Sequence, residues 1–222
     1  MSHQTLNRSK QFQTDFPYDL RADLLDLLFV ACAAADESCD RFERPERKYT
    51  LPINRRAFIQ QELRVLAQRA SSIRGLTINA ESILDEGGLW SHTRLTSGNT
   101  ILTVHPTPGP DVALAPSQYK QGYAHGQLTL FPDDEPEQVT MIYAVILFKV
   151  NRKNPSELEH ASIRFPTKKL DGYFPGKIDL LEEHPAIVGK YLRKGPAVVR
   201  SAEGSPNQQV PTLKIHRKAD AQ

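Results

Sequence analysis

Apolar positions recur at three- and four-residue spacing from Leu20 onward, at Leu24, Leu27, Leu28, Ala31 and Ala35. That period places them on one face of a helix. Asp15 or Asp19 suits its cap, and Pro17 its first turn. A charged stretch, Arg41 to Lys48, is broken by Pro45 and reads as a connector. A second helix is predicted with Asn54 as cap and Phe58, Ile59, Leu63, Leu66, Ala67 and Ala70 as its apolar face. From Gly75 the period changes. Leu76 and Ile78 predict a short strand, and 89–95 and 100–105 predict two strands joined at Ser97-Gly98-Asn99. Residues 138–150 are apolar on both alternating faces, as for a central strand covered on each side. Ala161, Ile163 and Phe165 alternate into a return strand. Residues 180–193 predict a short helix interrupted by Pro185.

The helices precede the strands instead of alternating with them. The expected fold is therefore α+β, with two N-terminal helices packed on an antiparallel sheet of about five strands. The expected organisation is a flexible start over 1–15, one domain over 16–195 and a flexible basic tail over 196–222. The tail ends in Lys214-Ile215-His216-Arg217-Lys218, for which phosphate contact is the minority reading.

Between the hairpin and the central strand lies a long segment, 106–137, with Pro106, Pro108, Pro110, Pro116, Pro132 and Pro136. Loops of that length in a compact domain are usually functional or disordered. Gly126 and Pro132 bracket Gln127-Leu128-Thr129-Leu130-Phe131, and Asp133-Asp134-Glu135 follow. In extended form Leu128 and Leu130 point one way and Thr129 the other.

Gln-Leu-x-Leu-Phe resembles the linear motif by which bacterial proteins dock on the DNA polymerase III sliding clamp. The resemblance covers five of 222 residues and says nothing of the fold. It implies that Leu130 and Phe131 fill one hydrophobic pocket of the clamp, Leu128 a neighbouring subsite, and that the Gln127 amide hydrogen-bonds. Thr129 stands where the family often has Ser or Asp. A string this specific arises by chance in roughly one chain of this length in a few hundred, and permitted variants make accidents several times commoner. The competing reading is a plain edge strand with Leu128 and Leu130 in the core.

Composition adds limits. Twenty-eight basic and 26 acidic residues leave a net charge of +2, which does not indicate autonomous duplex-DNA binding and leaves at most a weak or indirect contact. The arginines at 55, 56, 64 and 69 read mainly as a solvated helix surface. Cys32 and Cys39 lie seven residues apart on a helical pattern. A rise of roughly 10 Å over seven residues is too far for a disulfide. Met1 to Lys10 is polar, without the apolar core of a signal peptide, and the apolar runs are shorter than a membrane span. The expected compartment is the cytoplasm, with no membrane contact.

Candidate chemistry is sparse. The histidines at 3, 92, 105, 125, 160, 184 and 216 have no close metal-ligand spacing. His92 and His105 fall on neighbouring predicted strands and face each other, most simply as a structural pair. Glu46-Arg47-Lys48 spells a fragment of a nuclease signature, but Asp111 and Asp133 follow it in the wrong order. No phosphate-binding glycine loop or nucleophile elbow appears; Gly87-Gly88 reads as a turn and Trp90 as a core or sheet-face residue. The expectation is a non-catalytic, cofactor-free clamp-binding accessory or regulatory protein of DNA replication or repair, of bacterial, phage or mobile-element origin. The alternatives are an interaction protein of a defence or toxin–antitoxin type system, and a metal-dependent nuclease using Glu46 and Asp111.

Overall fold

The structure is a computed structural model that describes residues 8–74, 76–84, 91–126 and 141–192. Three helices come first: α1 (Arg8–Asp15), α2 (Tyr18–Ser38) and α3 (Arg44–Arg74). Six strands follow, β1 (Ile78–Leu84), β2 (Ser91–Ser97), β3 (Thr100–Pro106), β4 (Ile142–Val150), β5 (Leu158–Pro166) and β6 (Tyr173–Asp179). Helix α4 (Gln118–Gly126) lies between β3 and β4, and α5 (Leu180–Glu183) and α6 (Pro185–Leu192) come last. The α+β class holds. The sheet departs from expectation in having six strands and in being mixed.

Strand order follows chain order from β1 to β6. All neighbours are antiparallel except β3 and β4, which run parallel from Thr100↔Ile142 to Pro106↔Phe148. Parallel neighbours need a crossover connection, and the segment carrying α4 supplies it. Strand β4 is central, buried throughout from Ile142 to Phe148, as its two apolar faces predict. One face meets the helical layer through Ile142, Ala144, Ile146 and Phe148. The other carries Tyr143, Val145 and Leu147, packed with Leu114, Ala124 and Leu170.

Of the start over 1–15 expected to be flexible, Arg8–Asp15 form helix α1, and residues 1–7 lie outside the described residues. The single apolar residue of α1, Phe12, is fully buried. The ring stacks on Phe16 at 4.9 Å and meets Phe165 edge-on at 5.8 Å. Two aromatic rings on the core are enough to dock an otherwise polar helix. Asp15 at its end holds the β2–β3 turn: its carboxylate accepts from the Asn99 N–H at 3.1 Å and the Thr100 hydroxyl at 2.6 Å.

Helix α3 starts ten residues before the expected cap at Asn54. The predicted connector, 41–48, is largely its first turns. Pro45 sits where a missing N–H costs no helical bond, whereas Pro52 lies inside the helix. Arg47 ties these turns to the end of α2 through Asp36 at 2.6 Å and Asp40 at 2.8 Å. Asn54 is no cap; its amide donates to the Ser38 hydroxyl at 3.0 Å. Both cysteines are buried and free.

The long segment is also more ordered over its described part than a loop. Thr107 N–H donates to the Phe148 carbonyl at 2.8 Å, Arg164 binds Asp111 at 2.6 Å, and Tyr173 OH donates to the Val112 carbonyl at 2.8 Å. Helix α4 then lies against the second sheet face with Ala124 buried. Strand β6 was not foreseen, because Gly176, Lys177 and Pro175 break its alternation. The tail over 196–222 lies outside the described residues.

Candidate functional site

The clamp-like residues Gln127, Leu128, Thr129, Leu130 and Phe131 lie outside the described residues, as do Trp90, Gly87-Gly88 and the basic tail. Their described flanks are Gly126, the last residue of α4, and Met141, one residue before β4.

A second candidate site arises where β2 and β3 part. Their ladder runs from Ser97↔Thr100 only to Leu95↔Leu102. Beyond it β2 stays paired with β1 as far as Ser91, and β3 with β4 as far as Pro106. Continuing the β2–β3 register would set His92 opposite His105. Instead the strands leave a wedge-shaped opening at one end of the sheet. A cavity of about 430 Å³ lies here, lined by residues of α3, β2, β3, β4 and α4.

Its apolar walls come from the core: Ile59 and Leu63 of α3, Val104 of β3 and Phe148 of β4. Its polar walls are His92, Thr93 and Gln60, with His105 and Tyr119 beside α4. Tyr119 stacks on the His92 ring at 3.8 Å and lies 6.4 Å from that of His105. His92 Nε2 is 3.2 Å from Tyr123 OH, and His105 Nε2 is 2.8 Å from the Thr103 hydroxyl, itself 3.0 Å from Tyr143 OH. The expected histidine pair thus exists as two walls of one cavity, with a tyrosine laid across them.

The described lining carries basic side chains. Arg55, Arg56 and Lys120 line the cavity, and none of the described lining residues is acidic. Burial, then the nearby charges of Arg56, Arg94 and Lys120, pushes His92 down to about 4. Burial, then Lys120, His92 and Arg56, pushes His105 down to about 3. Both rings are therefore neutral near pH 7 and serve as hydrogen-bonding groups. Lys120 is lowered by burial and then by Arg56. Its ammonium donates to the Ala115 carbonyl at 2.9 Å. Arg56 reaches the Ser91 carbonyl at 2.5 Å, which Gln60 also reaches at 2.6 Å. Arg55 Nη2 makes a 3.5 Å contact with the Pro155 carbonyl, and its buried Nε has no hydrogen-bond partner among the described residues.

No family model, curated protein or solved structure matches this chain.

The two carboxylates named for the nuclease alternative lie on different elements. Glu46 is in the first turn of α3, in the helical layer. Asp111 pairs with Arg164, whose neighbours Ile163 and Phe165 face that layer while Arg164 itself lies beside Tyr173 on the other face. The two carboxylates are on opposite sides of the sheet. Among the described residues no group of three His, Cys, Asp or Glu side chains is placed to hold a metal ion. No helix of the described residues is long and apolar enough to cross a membrane.

The sequence reading named His92 and His105 but missed the rest of the cavity. Arg55 and Arg56 read as helix surface, and Tyr119 and Lys120 fell within a presumed loop. The only advance signal was the pair of histidines at opposed hairpin positions.

Proposed function

We propose that this chain is an accessory or regulatory protein of DNA replication or repair that docks on the bacterial sliding clamp through Gln127, Leu128, Thr129, Leu130 and Phe131. The complete Gln-Leu-x-Leu-Phe string, set between Gly126 and Pro132, carries the reading. The arrangement around it is compatible. Both faces of β4 are covered by described residues, and both its edges are paired, to β3 and to β5. A strand made from 127–131 would have to add at the outer edge of β1 or β6, or where β2 and β3 part. Burying two leucines and a phenylalanine on a partner is worth roughly 1.5–3 kcal/mol each. Ordering and rigid-body losses consume much of it, leaving an affinity on the order of 1–100 μM.

The test is a titration of purified clamp with a peptide spanning 122–136, beside the whole chain and its Leu130→Ala/Phe131→Ala variant. The peptide and the chain should bind, and the double variant should not, while its melting temperature stays within about 2 °C. A peptide that does not bind, or a double variant that loses much of its thermal stability, rejects the proposal; the second result would mean that these side chains belong to the protein's own core.

A further inference from the structure

The cavity between β2 and β3 is independent of the clamp reading. We infer that it binds a small uncharged aromatic molecule bearing a carbonyl, which His92 and His105 hold through the N–H on Nδ1 of each ring.

The direction of two hydrogen-bond chains carries the inference. Tyr143 is fully buried, and the partner that the described residues give its phenol is the Thr103 hydroxyl at 3.0 Å. A phenol that did not donate there would leave a buried O–H unpaired. Its proton therefore goes to Thr103, and the Thr103 proton goes on to His105 Nε2 at 2.8 Å. Across the site, Tyr123 OH lies 3.2 Å from His92 Nε2. A phenol gives up its proton more readily than a neutral imidazole, so the phenol is the donor. The Arg94 guanidinium beside the same phenol favours this direction, because it draws the oxygen lone pairs toward itself and leaves the proton to His92. Both imidazoles thus accept at Nε2. A neutral ring carries one N–H, and in each ring it sits on Nδ1.

Those two N–H groups await an acceptor. Both rings line the cavity, at 7% and 8% exposure. Neither Nδ1 has a hydrogen-bond partner among the described residues, and neither is sealed off from open space. An N–H in so confined a place is costly to leave unpaired. Tyr119 covers one face of His92 at 3.8 Å, so the ring meets a ligand by its edge. The two cations beside the histidines are already engaged, Arg56 with the Ser91 carbonyl and Lys120 with the Ala115 carbonyl. The donors that remain are neutral, which suits a carbonyl oxygen rather than a carboxylate. Ile59, Leu63 and Phe148, nearly wholly buried, join Val104 in an apolar wall against which a flat ring loses its water. A volume of about 430 Å³ is within the range of small-molecule sites.

The experiment uses the whole chain. Imidazole nitrogen NMR, assigned with His92→Phe and His105→Phe, should show both rings protonated at Nδ1. The chain is then titrated with coumarin and benzamide, with toluene and benzoate as separate arms. At least one of the two carbonyl compounds should saturate a single site per chain and shift the Nδ1–H signals of both rings. Toluene and benzoate should each bind about tenfold more weakly. His92→Phe and His105→Phe keep a flat ring and lose the N–H. Each, checked for folding by circular dichroism, should weaken binding about fivefold. Tyr123→Phe, which leaves the His92 ring in place, should let its proton move to Nε2 and weaken binding by a similar factor. Lys190→Met, on α6, should change neither signal nor affinity, and the Leu130→Ala/Phe131→Ala chain should bind normally, which separates this site from the clamp reading. A proton on Nε2 of either ring in the unsubstituted chain overturns the inference. So does absence of saturable binding by both carbonyl compounds up to about 5 mM, toluene or benzoate binding as tightly as they do, or affinity untouched by the two histidine substitutions.

Discussion

Asp15 shows how much one side chain can organise. Its two carboxylate oxygens and its carbonyl take up Gln11 at 3.0 Å, the Asn99 N–H at 3.1 Å, and the Thr100 and Ser97 hydroxyls at 2.6 and 2.7 Å. Gly98, between those partners, has φ +51°, and a Cβ there would run into the same carboxylate. Gly98→Ala should therefore destabilise the protein by about 1–3 kcal/mol in chemical denaturation. The loss should shrink in an Asp15→Ala background, because the two positions share the contact; strict additivity would place the strain elsewhere. The histidines give a second outcome at this scale. His92 and His105 titrate in the folded protein at about 4 and about 3, below their unfolded value of about 6.5. Between those limits the unfolded chain takes up protons that the folded one refuses. Their stabilising effect is complete above pH 6.5 and is lost as pH falls toward 3. His160 and His184 are lowered too, chiefly by burial, and add the same sign. Stability measured from pH 7 to 5 should fall, and a His92→Gln/His105→Gln variant should show a shallower slope. An unchanged slope would show that these two rings do not resist protonation.

Helix α3 raises the question of why a proline is tolerated in its interior. Pro52 removes one intrahelical hydrogen bond and crowds the preceding turn. Exposure of Pro52 and the ion pairs of Arg47 with Asp36 and Asp40 let the first turns persist across it. Pro52→Ala should stabilise the protein by about 1–2 kcal/mol, the propensity gain less the added freedom of the unfolded chain. An equal or lower denaturation midpoint would mean that the proline's shape is itself packed. Helix α2 and strand β4 could be read from spacing because their own burial dictates their pattern. Strand β6 could not. Gly176 has φ +108°, with α1 so close that a Cβ would meet Ser9 at 3.1 Å. That contact, rather than alternation, explains a glycine in the strand.

The N-terminal helix bears on the whole assembly. It inserts Phe12 beside Phe16 and Phe165, approaches β6 at Gly176, and clamps the β2–β3 turn. A chain lacking residues 1–16 gives up two buried phenylalanines, roughly 1.5–3 kcal/mol each. The total of about 3–6 kcal/mol is a large part of a typical domain's stability. Equilibrium unfolding should show a much lower midpoint for the shortened chain. An unchanged midpoint would mean that α1 is an accessory rather than a structural member. The tie between α2 and α5 is of the same long-range kind: Arg21, itself buried, grips Glu183 through two bonds of 2.9 and 2.5 Å and also donates to the Phe16 carbonyl at 2.6 Å.

Local order along the chain was enough to specify α2, the Ser97-Gly98-Asn99 hairpin, β4 and the α+β class, since helical and strand periods are short-range properties of neighbouring residues. It also carried the five-residue clamp-like string, a linear motif whose chemistry needs no fold. Tertiary contact alone decided the rest. Two rings on a distant core ordered α1, α4 supplied the crossover that made β3 and β4 parallel, and the β2–β3 ladder stopped at Leu95↔Leu102. The cavity belongs to this second class. Arg56, His92, His105 and Lys120 come from four elements, and a shared electrostatic field depends on distance in space, which spacing in sequence does not record.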